Sequence, residues 1–178
     1  WSGALYGGGF RLEDREGLIR EVRALRTRAS PEALFRSFAS LGGERGWLVW
    51  NWAWALRGFL DRLLGGPGLR RGRRHPTELL PGEAVDFWRV EAVEPPRLLR
   101  LRAEMRLPGR AWLEWEAREA EGGSLLVQTA YFEPKGLTGF LYWWALYPIH
   151  RRIFSDLARA IVREAEAQAE APPRGGGA

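Results

Sequence analysis

The sequence contains no cysteine, and that absence excludes several kinds of chemistry. Disulfides, iron–sulfur ligation and thiol nucleophiles all need the cysteine sulfur. Histidine is scarce too: His75 and His150 lack the spaced partners that a metal site or a hydrolytic triad requires. We therefore predict no metal, no cofactor and no assignable catalytic residue. Because nothing indicates an oxidising compartment, we place the chain in the cytoplasm.

The sequence also lacks a long apolar run. Its longest candidate for a membrane span, residues 137–149, is shorter than the roughly 20 residues that a helix needs to cross a bilayer, and it contains Pro148. No transmembrane span is expected, although peripheral membrane contact stays open. Because the chain begins at Trp1 rather than at a methionine, a preceding domain stays open as well.

Charged residues of both signs are mixed along most of the chain. The 27 basic and 22 acidic residues give a net charge of +5, and their mixing favours a solvated surface without a nucleic-acid partner. One run of arginines follows a Gly-rich break and is a candidate site for a phosphate or carboxylate, formed by Arg70, Arg71, Arg73 and Arg74. The alternative, which the residue pattern favours, is a salt-bridged surface loop.

The length of 178 residues predicts a single domain. We interpret residues 17–170 as that domain, 1–16 as a loose N-terminal arm and 171–178 as a disordered tail, because both ends are rich in glycine.

The predicted order of elements is a strand, two short helices, four strands and a long helix. The first strand is expected from Leu18 to about Thr27. Ser30-Pro31-Glu32 then supplies the capping residue, proline and acidic residue that begin a helix. A second helix is expected in the later part of residues 46–64. Alternating apolar residues separated by short turns predict antiparallel strands at about 84–93, 98–107, 110–119 and 124–132.

The last predicted element is a helix from about Leu137 past Glu166. Its apolar stripe must face the sheet and recurs every four residues at Ile149, Ile153, Leu157 and Ile161. Pro148 removes an amide donor and is expected to kink or restart this helix. The resulting α+β order resembles the helix-grip arrangement of the START and birch-pollen-allergen superfamily. That resemblance implies a curved antiparallel sheet wrapped around the C-terminal helix, with an apolar cavity between them.

Several blocks of sequence carry a closer resemblance. They are GGERGW (42–47), RGFLD (57–61), GGPGLRRGRR (65–74), DFWRV (86–90), LRAEM (101–105) and PGRAWLE (108–114), followed by Tyr142-Trp143, Pro148 and His150. Together they resemble the bacterial family called domain of unknown function 2867, over roughly residues 17–160. The family has no settled activity to carry over.

The resemblance implies a helix-grip fold that is often found behind an NAD(P)-binding domain of the short-chain-dehydrogenase type. The glycines at positions 7–9 do not follow a strand or open a helix with the dinucleotide-binding spacing. If NAD(P) binds the full-length protein, we therefore expect it to bind outside this chain.

Aromatic residues on the predicted sheet and last helix are candidates for lining the cavity. Large rings with one polar edge suit an apolar pocket that orients its ligand through few hydrogen bonds. The candidate ligand-binding residues are Trp88, Met105, Trp115, Tyr131, Trp144 and His150. The alternative for most of them is packing in the core, and for His150 a helix cap or a core hydrogen bond.

Asp86 shares a predicted strand with Trp88 and Val90, so its side chain is expected to point inward. A buried carboxylate needs a cationic partner, and one of the arginines at 70–74 is the candidate. A structural ion pair is the favoured interpretation, and a group that transfers protons in the pocket is the alternative.

These observations support three functional hypotheses. The leading one is binding of a lipid-like or aromatic small molecule in the cavity between sheet and helix. The second is an enzyme of cyclase-like or reductase-associated type that uses the same pocket. The third is a surface that contacts membrane or another protein through exposed aromatic residues near 47–54 and 140–144.

Overall fold

The computed structural model describes residues 9–15, 17–66, 68, 73–75 and 78–170. Within these residues, a curved antiparallel sheet of seven strands packs against three helices, so the α+β helix-grip prediction is confirmed. The elements are β1 (Gly9–Arg15), β2 (Leu18–Thr27), α1 (Pro31–Ala39), α2 (Asn51–Leu63), β3 (Ala84–Val85), β4 (Trp88–Glu94), β5 (Leu98–Ala103), β6 (Gly109–Ala120), β7 (Gly123–Pro134) and α3 (Gly136–Glu170). The strand order in the sheet is β1-β2-β7-β6-β5-β4-β3. The second strand of the chain, β2, therefore pairs with the last strand, β7.

The start of α1 is the one that its sequence predicts. The Ser30 side chain accepts a hydrogen bond from the Ala33 amide at 3.2 Å, and Pro31 occupies the first helical turn. Leu34 and Phe38 on the inner face of α1 are fully buried. This apolar face is what holds α1 between the sheet and α3.

α3 packs three of the four residues of its predicted stripe into the core and runs without a break past Pro148, whereas Ile149 is 56% exposed. Ile153, Leu157 and Ile161 on its inner face are buried. The expectation that the helix restarts at the proline is wrong. Trp143 before the proline and Ile153 after it are both buried, and this packing stabilises the helix on either side of the missing amide donor. No helix in the described part of the chain is long and apolar enough to cross a membrane.

The N-terminal strand β1 corrects the prediction of a loose arm over residues 1–16. Residues 9–15 pair with β2 in an antiparallel register that runs from Gly9↔Ala24 to Arg15↔Leu18. Without β1, the backbone groups along one side of β2 would lie unpaired at the sheet edge. Residues 1–8 and the predicted tail at 171–178 lie outside the described residues.

The predicted strand at 84–93 is interrupted at Asp86, which corrects its placement within a continuous strand. Asp86 has a φ of 54° and lies in the turn between β3 and β4. A left-handed residue breaks the alternation of a strand. The predicted strand at 98–107 likewise ends at Ala103, so Met105 lies beyond β5, although it is buried.

Candidate ligand-binding site

A cavity of about 270 Å³ lies between the sheet, α2 and the first half of α3. Its volume is close to the lower end of the roughly 300–1,000 Å³ range of small-molecule sites. Most of its wall is apolar. The aromatic residues that line it are Trp52, Trp54, Trp88, Trp112, Tyr131, Phe132, Tyr142, Trp143 and Phe154.

The position of α2 depends on aromatic and polar contacts at its beginning. The Trp47 ring packs 5.2 Å from Trp54 and 6.2 Å from Phe87, centroid to centroid. The Asn51 side chain accepts from the Trp47 amide at 2.9 Å, and Trp50 Nε1 donates to Asp156 Oδ2 on α3 at 2.9 Å. These contacts hold α2 across the cavity as its second helical wall.

Four of the six predicted ligand-binding residues line the cavity: Trp88, Met105, Tyr131 and His150. Their contact with a ligand stays a prediction. The Tyr131 hydroxyl already lies 3.3 Å from Glu114 Oε1, and both burial and the Glu114 charge raise the pKa of Tyr131. Its polar end is therefore engaged by the protein.

Trp115 and Trp144 do not line the cavity, which corrects their predicted placement. Trp115 is fully buried, stacks 6.3 Å from Phe38 of α1 and donates from Nε1 to Gln128 Oε1 at 2.9 Å. Trp144 is 44% exposed. A rotation of about 100° per helical residue turns it outward when its neighbour Trp143 faces the core.

Sequence reasoning missed several cavity residues, among them Trp54, Arg57, Tyr142 and Trp143. One signal was available on α3: Trp143 precedes the candidate His150 by seven residues, which is two helical turns and the same face. On α2 the comparable signal was the spacing of three residues between Trp54 and Arg57.

Three polar side chains meet at one side of the cavity. Arg57 on α2 donates from Nη2 to the Tyr142 hydroxyl of α3 at 2.7 Å. Its Nη1 lies 3.4 Å from His150 Nε2, also on α3. The Arg57 guanidinium also lies 6.0 Å from the centroid of the Tyr142 ring. A cation is thus placed in an otherwise apolar wall.

The protonation state of His150 follows from this arrangement. Burial, and to a lesser extent the Arg57 charge, lowers the pKa of His150 from 6.5 to about 4. The imidazole is therefore neutral at pH 7. Because a guanidinium can only donate, Nε2 must accept from Arg57, and the proton resides on Nδ1.

Asp86 does not line the cavity, so it is not a candidate for contact with a ligand there. Its buried carboxylate accepts from Trp47 Nε1 at 2.8 Å and from the Gly43 amide at 3.3 Å. Burial raises the pKa of Asp86, and the nearby Arg73 charge acts in the opposite direction. Among the described residues no arginine lies within ion-pair distance of Asp86, and its carboxylate accepts from indole and amide donors instead. A pair with Arg70 or Arg71, which lie outside the described residues, stays a prediction.

The arginine run at 70–74 is only partly described, since Arg70 and Arg71 lie outside the described residues. Arg73 donates to the backbone carbonyls of Ala39 and Leu41, at the end of α1 and just after it. Arg74 pairs with Glu83 at 2.5 Å. Both arginines thus have structural partners, and anion binding by the run stays a prediction. No group of acidic or histidine side chains suited to a metal ion occurs in the described part of the chain.

Solved structures share this fold at low sequence identity. Ara h 8.0201 is 12% identical, with 85% of this chain and 99% of that chain covered and a TM-score of 0.51. A member of the major latex protein family from Arabidopsis thaliana is 15% identical, with 87% and 98% covered and a TM-score of 0.52. The di-domain ARO/CYC StfQ from the steffimycin biosynthetic pathway is 12% identical, with 86% of this chain and 52% of that chain covered and a TM-score of 0.52. Identities this low show the shared fold alone.

Comparison of the sequence with family models gives a match over most of the chain. No curated protein matches the chain significantly. The family described as protein of unknown function (DUF2867) matches residues 15–157, a span that includes both α2 and the first two-thirds of α3. The chain therefore belongs to the DUF2867 family.

Proposed function

We propose that this protein binds an apolar small molecule, lipid-like or aromatic, in the cavity between sheet and helices. The observation that carries the proposal is an open space of about 270 Å³ with an almost entirely apolar wall. Protein interiors are normally packed without voids larger than a water molecule. A space of this size, walled by large rings, is favourable when an apolar ligand fills it.

The volume suggests the size of the ligand. Since each water occupies about 30 Å³ in the liquid, the cavity holds the equivalent of roughly nine water-sized groups. The lining residues Trp52, Leu56 and Ile149 are each at least half exposed and mark the mouth of the cavity. A ligand larger than the cavity would extend through this mouth along apolar surface.

Two measurements test the proposal. Native mass spectrometry of the purified protein, followed by organic extraction, is expected to reveal a discrete apolar compound that travels with it. Octanol is expected to bind saturably and to change the fluorescence of the five tryptophans in the wall. A clean apo mass together with non-saturable octanol binding would contradict the proposal.

A variant that fills the cavity supplies the control for specific binding. Ala130 lines the cavity on β7, so Ala130→Leu is expected to weaken octanol binding by occupying ligand space. Ala145→Leu is the matched control, because Ala145 is exposed on α3 outside the wall. Equal octanol affinity in both variants would show that binding occurs elsewhere.

A second candidate function is peripheral contact with an anionic membrane surface, and the exposed faces of α2 and α3 favour it. Large apolar side chains on them are at least 40% exposed, namely Trp52, Leu56, Phe59, Leu60, Leu63, Leu137, Phe140, Leu141, Trp144 and Ile149. Over residues 51–64 and 136–155 the only acidic residue is Asp61, which is buried, whereas Arg62, Arg151 and Arg152 are exposed. An apolar face flanked by cations matches an anionic lipid surface.

Vesicle flotation tests this second function. The protein is expected to float with vesicles that contain phosphatidylserine and to float less with neutral phosphatidylcholine vesicles. Leu137→Glu is expected to reduce flotation, because it places a negative charge on the exposed face. Leu80→Glu, at an exposed leucine outside both helices, is the matched control. Equal flotation of the two variants, or none with the wild type, would contradict the membrane hypothesis.

Association with an NAD(P)-binding domain remains a separate proposal that rests on the family resemblance. We expect NADPH not to bind this chain alone, since the dinucleotide-binding pattern is missing from it. A fluorescence titration with NADPH checks this expectation, and saturable binding would overturn it.

A further inference from the structure

The few polar groups in the cavity wall are nearly all hydrogen-bond donors. Among the described lining residues there is no Asp, Glu, Asn, Gln, Ser or Thr. The side-chain polar atoms there belong instead to tryptophan, tyrosine, histidine and arginine. Indole nitrogens and guanidinium groups donate and cannot accept. The wall therefore complements a ligand that carries acceptor atoms.

Arg57 has no acidic partner among the described residues. Its side chain contacts the neutral Tyr142 hydroxyl and the neutral His150 ring. No carboxylate of the described residues lies within ion-pair distance of it, whereas arginines on the sheet such as Arg89 and Arg100 are paired with Glu104 and Glu114. A half-buried cation that faces apolar surface without a counter-charge is unfavourable until an anion joins it.

Buried donors without a partner are concentrated at the same cavity. Six buried side-chain atoms of the described residues have no hydrogen-bond partner, and four of them belong to cavity residues: Trp54 Nε1, Trp88 Nε1, Trp143 Nε1 and His150 Nδ1. The tautomer deduced for His150 makes its Nδ1 a donor as well. These four atoms are buried behind the surface of the wall, so the case for an acceptor group on the ligand rests on Arg57, whose side chain is only half-buried.

We propose that the ligand of this cavity is an apolar acid whose carboxylate is bound by Arg57 beside His150 and Tyr142. This inference rests on the proposed function and names the class of ligand. The carboxylate supplies the missing counter-charge to Arg57, and its apolar part packs against the tryptophan rings. The neutral state of His150 supports the assignment, since the imidazole adds no second charge beside Arg57.

The experiment compares an acid with an uncharged analogue of the same length. Octanoate and octanol are titrated into the wild type, Arg57→Gln and Arg62→Gln by isothermal calorimetry at pH 7. The wild type is expected to bind octanoate at least about tenfold more tightly than octanol, because a charge-assisted hydrogen bond in the cavity replaces solvent contacts. Arg57→Gln is expected to remove that preference, so that octanoate and octanol bind with similar affinity.

Arg62→Gln is the matched control for net charge. Arg62 lies on the same helix but is exposed and outside the cavity wall, so its replacement should leave the preference for octanoate intact. A preference that survives in Arg57→Gln, or that falls equally in Arg62→Gln, overturns the inference. Equal binding of acid and alcohol by the wild type also overturns it but leaves the proposed function standing. Failure of both compounds to bind overturns the proposed function itself.

A second measurement needs no variant. The imidazole of His150 can be titrated by NMR in the wild type, with and without saturating octanoate. A carboxylate beside Arg57 offsets the guanidinium charge, so the pKa of His150 is expected to rise from about 4 when octanoate binds. Among the described residues, Arg57 on α2 is the charged group that faces His150, and its guanidinium is shared with the Tyr142 hydroxyl of α3. An unchanged His150 titration in the octanoate complex overturns the inference.

Discussion

Replacing Asp86 with asparagine tests what the protein needs from this buried carboxylate. Asp86 is only 4% exposed and accepts hydrogen bonds from Trp47 Nε1 and the Gly43 amide. Its φ of 54° lies in the left-handed region. Asparagine tolerates that conformation and keeps an acceptor oxygen, but it removes the charge.

The sign of the effect follows from the pKa. Burial raises the pKa of Asp86, so the folded protein binds this proton more tightly than the unfolded chain does. Stability contributed by the protonated group is therefore present at low pH and is lost as the pH rises from the ordinary value of 3.8 through the raised folded value. Asp86→Asn is expected to be more stable than the wild type at pH 7 and nearly equal to it at about pH 3.

Asp86→Ala separates the acceptor from the charge. Alanine leaves the Trp47 indole and Gly43 amide without this acceptor and places a less tolerant residue at a left-handed position. Loss of hydrogen bonds to a charged acceptor and the conformational strain together predict a cost of about 2–4 kcal/mol in the free energy of unfolding.

Urea unfolding at pH 7 and at about pH 3 measures all three proteins under matched conditions. The difference in the free energy of unfolding between Asp86→Asn and the wild type is taken at each pH. The contribution of other titrating groups drops out of this difference, because both proteins carry them. If Asp86→Asn is less stable than the wild type by more than about 1 kcal/mol at pH 7 but not at low pH, the Asp86 charge is net stabilising and the reasoning is refuted.

Three further predictions concern packing and pH. Leu157→Ala removes a fully buried side chain of α3 and is expected to lower the free energy of unfolding by about 2–5 kcal/mol in urea unfolding, whereas a loss below about 1 kcal/mol would contradict the assigned core. Gly139→Ala places a Cβ 2.1 Å from the Pro108 carbonyl oxygen, so a cost of about 1–3 kcal/mol is expected by thermal unfolding, with exposed Thr138→Ala as the control that stays near wild type. The pKa of His150 is lowered to about 4, so the wild type is expected to lose stability as the pH falls from 6.5 towards that value. His150→Gln should lose less stability over the same range. Equal losses would contradict the burial of His150.

Elements with local signals could be predicted from the residues alone. The Ser30-Pro31 start of α1 and the apolar stripe of α3 depend on neighbours within a few turns. The turn glycines and the alternation in β6 and β7 likewise predict an antiparallel pair, and the register from Gly109↔Pro134 to Ala120↔Gly123 confirms it. Four of the predicted ligand-binding residues do line the cavity, and they could be predicted for the same reason. Periodicity shows which side chains share one face of a strand or helix.

Features that depend on distant partners could not be predicted in this way. β1 forms because the edge of β2 offers unpaired backbone groups, and Asp86 turns out of the strand to reach Trp47 and Gly43. The choice between Trp143 and Trp144 depends on the rotation of α3 against the sheet, which a run of adjacent aromatic residues leaves undetermined.

The sequence by itself determined the fold class, the order of the central elements and the presence of an aromatic, cysteine-free interior, because periodicity, caps and composition act locally. Only the tertiary structure decided that α2 closes the cavity and that Arg57 meets Tyr142 and His150 within it. Those residues are up to 93 positions apart. Their meeting depends on how two helices pack over one sheet, which no local pattern encodes.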